Sequence, residues 1–191
     1  MTDFEKTLPE DLQRIVAFHG HYCPGILWGY RASKAALERL GTERAEDEEL
    51  IAIVENDSCA ADAVQVLTGC TFGKGNFFFR DFGKHVYTFA VRPSGRAVRV
   101  SRRPGTRRGE DEDETREQKI TRMLATPTEE LFRIEEGTID LPEAAQIHES
   151  VVCSRCGEEA MTTRTRDIDG QPVCLGCIEG GTGFHAKHAS G

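Results

Sequence analysis

Two Cys-x-x-Cys pairs near the C-terminus constrain the fold of this chain more than any other feature. Cys153 and Cys156 form the first pair, Cys174 and Cys177 form the second, and 17 residues separate the two pairs. This spacing is typical of a structural zinc site, because four thiolates can hold one ion in a closed tetrahedron. The segment between the pairs is too small to bury a core of its own, so zinc would supply its folding energy. The pattern predicts a four-cysteine zinc-finger module over residues 149–191.

Redox-active cysteine pairs or two disulfides are the competing interpretation. The chain has seven cysteines in 191 residues, an odd number that is too small for a disulfide scaffold of this length. Its N-terminus lacks the basic and then apolar order of a signal peptide, and no apolar stretch is long enough to span a membrane. We therefore expect a soluble cytoplasmic protein with no membrane partner. Reduced thiols in that compartment favour the zinc module.

The first 148 residues show the patterns of one further domain. Apolar spacing predicts helices over 8–18, over 24–40, from Asp57-Ser58 to Gly69, near Ile120, and from Thr128 through Leu131, Phe132 and Ile134. Strands are predicted over 50–54, 77–79, 86–91 and 97–100, the last two joined by a hairpin turn at Pro93-Ser94-Gly95. Helices and strands do not alternate regularly, so we predict an α+β core of helices on a small, largely antiparallel sheet.

The charge balance argues against nucleic acid as a partner. Twenty-four Lys and Arg stand against 32 Asp and Glu, which gives a net charge of −8. The zinc module shares this balance, since residues 153–191 hold four basic and five acidic side chains. A protein that grips a phosphate backbone needs a basic surface. We therefore expect the module to support the fold or to contact another protein.

A second group of metal-ligating side chains lies in the predicted core domain. His19, His21 and Cys23 occupy a glycine-containing turn between two helices, and Cys59 begins a third helix. Cys70 follows that same helix. The start of a helix favours a thiolate, so we expect lowered pKa values for Cys23 and Cys59. The alternative is that the cysteines are small buried hydrophobes and that the histidines cap helices.

The glycine-rich loop after the third helix suggests an anion site. It reads Gly-Cys-Thr-Phe-Gly-Lys-Gly over residues 69–75, but its glycine spacing departs from that of a phosphate-binding loop. Its backbone amides and Lys74 could still cradle an anionic substrate group beside the metal. An ordinary turn with a solvated lysine is an equal alternative.

The longer motifs around these residues resemble those of a known family. FHGHYCPGILWGYR at 18–31, ENDSCAADAVQVLTGCTFGKGN at 55–76 and DFGKHVYTF at 81–89 precede the paired cysteines. This combination resembles the FmdE-like proteins, the family named for the E subunit of formylmethanofuran dehydrogenase. The resemblance covers most of the core and the C-terminal module.

The resemblance implies an α+β core with a metal or active-site cleft, and a finger of treble-clef or ribbon type. It also implies a homodimer. The positions that match the family motifs are His19, His21, Cys23, Cys59, Asp62, Gln65, Cys70, Thr71, Lys74 and Asn76.

Our leading hypothesis is a metal-binding protein with a second ion in the core. His19, His21, Cys23 and Cys59 would be the main ligands, with Cys70 beside them, and mixed imidazole and thiolate ligands suit zinc, nickel or iron. The family name suggests an accessory to molybdenum- or tungsten-dependent one-carbon oxidoreductases acting on formate or formylmethanofuran, whose subunits are then possible partners.

Two other functions use the same residues differently. In a metal-dependent enzyme, three ligands leave a coordination position for water, and the catalytic residues would be Cys23, Cys59, Asp62 and Lys74. In a metal-sensing or redox-sensing interaction protein, the zinc finger would contact the partner.

Overall fold

The structure is a computed structural model that describes residues 2–106 and 114–180. Internal contacts divide the chain into two units, one ending at Ala145 and the other beginning at Gln146. We call these the core and the finger. Among the described residues, no helix is both long enough and apolar enough to cross a membrane.

The core contains six helices and five strands in the described ranges. The helices are α1 (Asp3–Thr7), α2 (Glu10–His19), α3 (Pro24–Leu40), α4 (Ala60–Thr68), α5 (Arg116–Ala125) and α6 (Thr128–Leu131). The strands are β1 (Leu50–Val54), β2 (Phe77–Phe79), β3 (Val86–Val91), β4 (Arg96–Arg102) and β5 (Phe132–Thr138).

The five strands form one sheet in the order β2-β1-β3-β4-β5. β1 pairs in parallel with β2, and every other pair is antiparallel. Alternate residues of β1, β3 and β4 face the helices, among them Ala52, Phe89 and Val98, and they form the main core with side chains of α2, α3 and α4. The prediction of an α+β core with a largely antiparallel sheet is confirmed.

Helix α3 is the central helix of the core. Pro24 is its first residue, where a missing N–H costs nothing, and Gly41 ends it in the left-handed conformation with φ of 60°. Its apolar residues Ile26, Leu27 and Leu40 are buried. α3 packs on β3, β4, α4 and α5, so its N-terminus is held rigidly inside the domain.

The last strand of the core corrects the predicted helix over 128–134. That helix stops at Leu131, and Phe132 begins β5, which pairs with β4 so that Ile134 lies opposite Val100. Phe132 and Ile134 are two residues apart, so they share one face of a strand, whereas in a helix they would lie on nearly opposite sides. The segment forms a strand because it can pair with the edge of β4 that β3 leaves free.

Up to residue 180, the finger contains two hairpins, a 3-10 turn at Thr162–Arg164 and a short helix. β6 (Ser150–Val152) pairs with β7 (Glu159–Met161), β8 (Thr165–Ile168) pairs with β9 (Gln171–Cys174), and α7 (Leu175–Glu179) follows. The predicted C-terminal four-cysteine finger is therefore present, and its order of elements is that of a treble clef.

Candidate metal centres

The finger brings its four cysteine sulfurs together. All four lie within 4.8 Å of one another. The Sγ atoms of Cys153 and Cys177 are 3.9 Å apart, as are those of Cys156 and Cys174. A tetrahedral ion with metal–sulfur bonds of about 2.3 Å requires sulfur separations of about 3.8 Å. All four thiols are free and too far apart for disulfides, so the cluster fits a bound metal ion.

Two different backbone turns present these four ligands. Cys153 follows β6 in a tight turn in which the Gly157 N–H donates to the Cys153 carbonyl at 2.9 Å, and Gly157 has φ of 75°, which favours glycine. Cys174 is the N-cap of α7, and Cys177 lies in the first turn of that helix. The ligands thus come from one knuckle and one helix start.

Backbone N–H groups prepare the finger for thiolates. The Cys174 N–H donates to the Cys153 sulfur at 3.3 Å, and this hydrogen bond is the main reason that the pKa of Cys153 falls to about 6. The pKa of Cys177 rises to about 12, chiefly because of its hydrogen bond with the Cys156 side chain. The cluster therefore gives up one proton readily, and a bound cation must displace the others.

The core holds a second cluster, which we call the core cluster: His19, His21 and Cys23. One ligand atom from each lies within 4.8 Å of the other two. His19 ends α2, His21 lies in the turn that follows, and Cys23 is the N-cap of α3. The His19 Nε2 atom is 3.8 Å from the Cys23 Sγ atom. Typical zinc bond lengths in a tetrahedral site place such atoms about 3.6 Å apart, so this pair is spaced for one ion.

Asp62 fixes the orientation of the His19 ring. The Nδ1 atom of His19 lies 2.7 Å from the Asp62 Oδ2 atom. A carboxylate accepts a hydrogen bond from the protonated nitrogen, so Nε2 keeps its lone pair on the side of Cys23. The His19 side chain is 12% exposed and that of Asp62 is 37% exposed. Asp62 therefore influences the cluster through His19, and it contacts the ring nitrogen that does not face Cys23.

Cys59 lies beside the core cluster, at the start of α4. A Cβ atom built on Gly25 would be 3.3 Å from both the Cys23 sulfur and the Cys59 sulfur. The two sulfurs therefore approach the same small space, which the missing side chain of Gly25 leaves open. The structure thus brings together His19, His21, Cys23, Cys59 and Asp62.

The pKa of Cys59 differs from the expectation for a helix start. It is raised, first by burial and then by the charge of Cys23 and the hydrogen bond with it. Burial and a neighbouring thiol therefore outweigh the helix dipole. The predicted lowering is wrong for this residue.

Cys59 is held in place by two residues that the sequence motifs did not single out. Asn56 is buried, and its Oδ1 accepts hydrogen bonds from the backbone N–H and the hydroxyl of Ser58 at 3.1 and 2.5 Å. Gly29 lets α3 approach α4, since a Cβ there would be 2.1 Å from the Ala60 carbonyl oxygen. Both residues stand inside the motifs, but nothing in their spacing indicated these roles.

Cys70 does not join the core cluster. It follows the C-terminus of α4, whereas Cys59 precedes the N-terminus, and nine helical residues at about 1.5 Å each separate the two ends. The Cys70 thiol is fully buried and donates to the Leu50 carbonyl at 3.3 Å. Burial raises its pKa to about 11. Its inclusion among the core ligands is corrected: Cys70 packs against β1.

Lys74 is likewise a structural residue in this fold. Its ammonium group donates to the carbonyls of Ala45, Glu46 and Asp47 at 3.4, 3.2 and 3.1 Å. The buried Asn76 joins the same two segments, because its amide donates to the carbonyls of Asp47 and Leu50 at 2.9 Å each. Hydrogen bonds therefore hold this loop to residues 45–50 within the core. The Lys74 ammonium group is engaged in them and is not available to bind a substrate beside Cys23.

Comparison with known proteins identifies the family. A family model described as "FmdE, Molybdenum formylmethanofuran dehydrogenase operon" matches residues 18–133. The chain belongs to the FmdE family. The matched range contains the whole core cluster together with Cys59 and Asp62, and the resemblance drawn from the motifs is confirmed.

Two further comparisons reach beyond that range. The crystal structure of an FmdE-like protein of the tungsten formylmethanofuran dehydrogenase type, from Syntrophus aciditrophicus, superimposes with a TM-score of 0.69 at 25% identity, covering 92% of this chain and 94% of that one. A "Probable S-adenosyl-L-methionine-binding protein" of Archaeoglobus fulgidus is 34% identical over 207 aligned positions. That alignment covers 91% of this chain and 55% of the relative, so this chain spans about half of the relative's length.

Proposed function

We propose that this FmdE-family chain is a metal-binding protein with two metal sites. One is a structural zinc site in the finger, and the other is a transition-metal site at the core cluster. The observation that carries the proposal is the arrangement of His19: Asp62 holds Nδ1 at 2.7 Å while Nε2 stands 3.8 Å from the Cys23 sulfur. A capping histidine or a buried hydrophobic cysteine needs no such pairing.

The donor set supports particular metals at each site. Four thiolates spaced for a tetrahedron suit zinc in a closed structural site. Two imidazoles with one or two thiolates suit zinc, nickel or iron at the core cluster, and oxygen-seeking ions such as magnesium are disfavoured. His21 is exposed to solvent, whereas Cys23 is almost buried, so the site has one open side.

We further propose that the chain is an accessory to a molybdenum- or tungsten-dependent one-carbon oxidoreductase, and that it forms a homodimer. The support is the family description, which refers to a molybdenum formylmethanofuran dehydrogenase operon, and the likeness to an FmdE-like protein of the tungsten type. In this role the core cluster would hold or transfer a metal ion, or bind part of the partner.

Elemental analysis of the full reduced chain tests the metal sites. We expect two metal ions per chain in wild type, and one in Cys23→Ser and in Cys59→Ser. Cys70→Ser is the matched control, because this thiol lies at the far end of α4 from Cys59, where it donates to the Leu50 carbonyl, so this variant should keep both ions. One ion in wild type, unchanged by Cys23→Ser, would refute the core site.

Affinity capture from the native host tests the accessory role. The tagged chain should retain molybdenum or tungsten in the captured fraction, measured by mass spectrometry of the metals, and Cys23→Ser should reduce that amount. A captured fraction without either metal under anaerobic conditions would exclude a stable assembly. Size-exclusion chromatography with light scattering on the same preparation reports the oligomeric state.

A metal-dependent enzyme is the second candidate, because the open side at His21 leaves room for water at a three-ligand ion. In that case Asp62 would serve through His19 and not as a free base, since its carboxylate is already bonded to that ring. Spectra of the cobalt-substituted protein separate the candidates: four-coordinate sites with two thiolates favour binding, and a pH-dependent water ligand favours catalysis.

A further inference from the structure

A groove between α2 and α4 continues away from the core cluster. Its volume is about 370 Å³, and its lining side chains are Arg14, Phe18, Arg44, Gln65, Val66 and Thr71. Arg14 and Phe18 are four residues apart on α2 and so share one side of that helix. This volume falls within the range of small-molecule sites, which is about 300–1,000 Å³.

The groove lies next to the metal-ligating residues along both helices. His19 of α2 bonds Asp62 of α4. Phe18 directly precedes His19, and Gln65 lies one turn after Asp62. A ligand in the groove would therefore contact Phe18 and Gln65, which are near neighbours in sequence of His19 and Asp62.

The two arginines of the groove are free of carboxylate partners. Within residues 2–106 and 114–180, Arg14 makes no ion pair and Arg44 makes none, although this chain carries a net charge of −8. Arg44 donates from Nε to the Val66 carbonyl at 3.3 Å, which fixes the side chain and leaves its terminal nitrogens available. Three carboxylates, those of Asp11, Glu38 and Glu43, line an adjoining cavity together with both arginines. In the described ranges none of them forms an ion pair with either arginine, and that of Asp11 pairs with Lys34 at 3.0 Å.

The rest of the lining suits a flat ring. The Phe18 side chain is 61% exposed, which leaves a ring face open to solvent beside the arginines. The Gln65 amide makes no side-chain hydrogen bond among the described residues, and it is half-buried. An open aromatic face, an unused amide and two cations without carboxylate partners are the groups that recognise a ring bearing an anionic tail.

We propose that this groove binds an organic anion of nucleoside monophosphate size. Its flat base would stack on Phe18 and accept or donate a hydrogen bond at Gln65, and its phosphate or carboxylate would lie between Arg14 and Arg44. This ligand site goes beyond the proposed metal function and needs no metal for its own contacts.

Calorimetric titration of the full, metal-loaded chain with adenosine 5′-monophosphate tests the proposal. We expect binding that weakens with added salt, and that weakens at least about tenfold in Arg14→Gln and in Arg44→Gln, because each removes charge-assisted hydrogen bonds. Phe18→Ala should weaken it by about tenfold through loss of stacking. Arg39→Gln is the matched control: Arg39 pairs with Glu136 at 3.0 Å and lies outside the groove, so binding should stay at the wild-type value.

Two comparison ligands separate the ring from the anion. Adenosine lacks the phosphate and inorganic phosphate lacks the ring, so each should bind at least about tenfold more weakly than the monophosphate. S-adenosylmethionine has the same base on a tail of net positive charge, and it should also bind more weakly. Tighter binding of S-adenosylmethionine that survives the Arg14→Gln/Arg44→Gln double variant would overturn the anion site.

Absence of monophosphate binding at millimolar concentration would equally overturn the proposal. The metal content of the same samples distinguishes this failure from failure of the proposed function. Loss of ligand binding with two ions per chain refutes only the groove, and a missing core ion refutes only the metal site.

Discussion

Replacing Gly29 with alanine should damage the core and the core cluster together. The new Cβ would lie 2.1 Å from the Ala60 carbonyl oxygen, 2.9 Å from the Ala60 carbonyl carbon and 3.0 Å from its Cα. All three atoms belong to the backbone of α4, so no flexible side chain can move aside. α3 and α4 must separate by about 1 Å to restore ordinary contact distances.

The cost can be worked from these distances. Overpacking of a well-packed core costs about 1–3 kcal/mol and occasionally more, and a clash with helix backbone belongs at the upper end. Alanine regains about 1 kcal/mol of helix propensity relative to glycine. The net loss of stability should be about 2 kcal/mol, which lowers the melting temperature of a domain of this size by about 4–8 °C.

Differential scanning calorimetry and metal analysis of the same sample provide the assay. Cys23 and Cys59 stand at the N-terminal ends of α3 and α4, so separation of these helices should also lower the affinity of the core cluster for its ion. Gly137→Ala is the matched control, because no atom lies within 4 Å of a Cβ at that position. A Gly29→Ala variant with wild-type melting temperature and metal content would refute the close packing of α3 on α4.

Three more predictions concern the cysteines and the residues that position them. Asp62→Asn should weaken metal binding at the core cluster by about 10–100-fold with little change in melting temperature, because loss of a carboxylate that holds a ligating histidine typically lowers metal affinity by this factor. Unchanged affinity in a competition titration would contradict this prediction. Cys153→Ser should abolish zinc binding by the finger and the protection of the finger from hydrogen exchange, while the core keeps its melting temperature. Ser154→Ala is the control. A finger that stays protected without metal would disprove that metal binding and folding of the finger are coupled. Cys70 should resist alkylation at pH 8 in folded protein, since it is fully buried and burial raises its pKa to about 11, whereas the exposed Cys156 in metal-stripped protein should react. Fast labelling of Cys70, read by mass spectrometry, would show that its surroundings are misassigned.

The features that could be predicted from sequence are those set by local spacing. α3 begins at Pro24 and ends before Gly41 as the pattern indicated, because both terminators act within one turn of the helix. The four cysteines of the finger are close in sequence as pairs, and a knuckle and a helix start bring each pair into range without long-range help. His19, His21 and Cys23 share a single turn for the same reason.

The parts that could not be predicted depend on which end of an element a residue occupies. Cys59 and Cys70 both flank α4, and spacing alone gave equal reason to place either of them near Cys23. The length of α4 decides the outcome, since its two ends face different neighbours: Cys59 meets Cys23 across Gly25, and Cys70 meets Leu50 of β1. Lys74 lies in the loop after Cys70 and is therefore at the same end of α4, away from Cys23. Sequence spacing does not show which end of α4 lies near Cys23.

The two clusters therefore depend on folding in opposite ways. The finger has little buried apolar surface, so its ion must supply the free energy that orders its hairpins and α7. The core cluster takes its ligands from residues 19–23 and its support from residues 59–62, and these segments meet only because α2, α3 and α4 pack around glycines in a large apolar core. Because this packing buries a large apolar core, we expect it to form without an ion, so that binding an ion would require little further ordering of the ligands. We therefore expect an ion to enter and leave the core cluster without unfolding the domain, which is the property that a site for transfer, sensing or catalysis needs and that a structural site lacks.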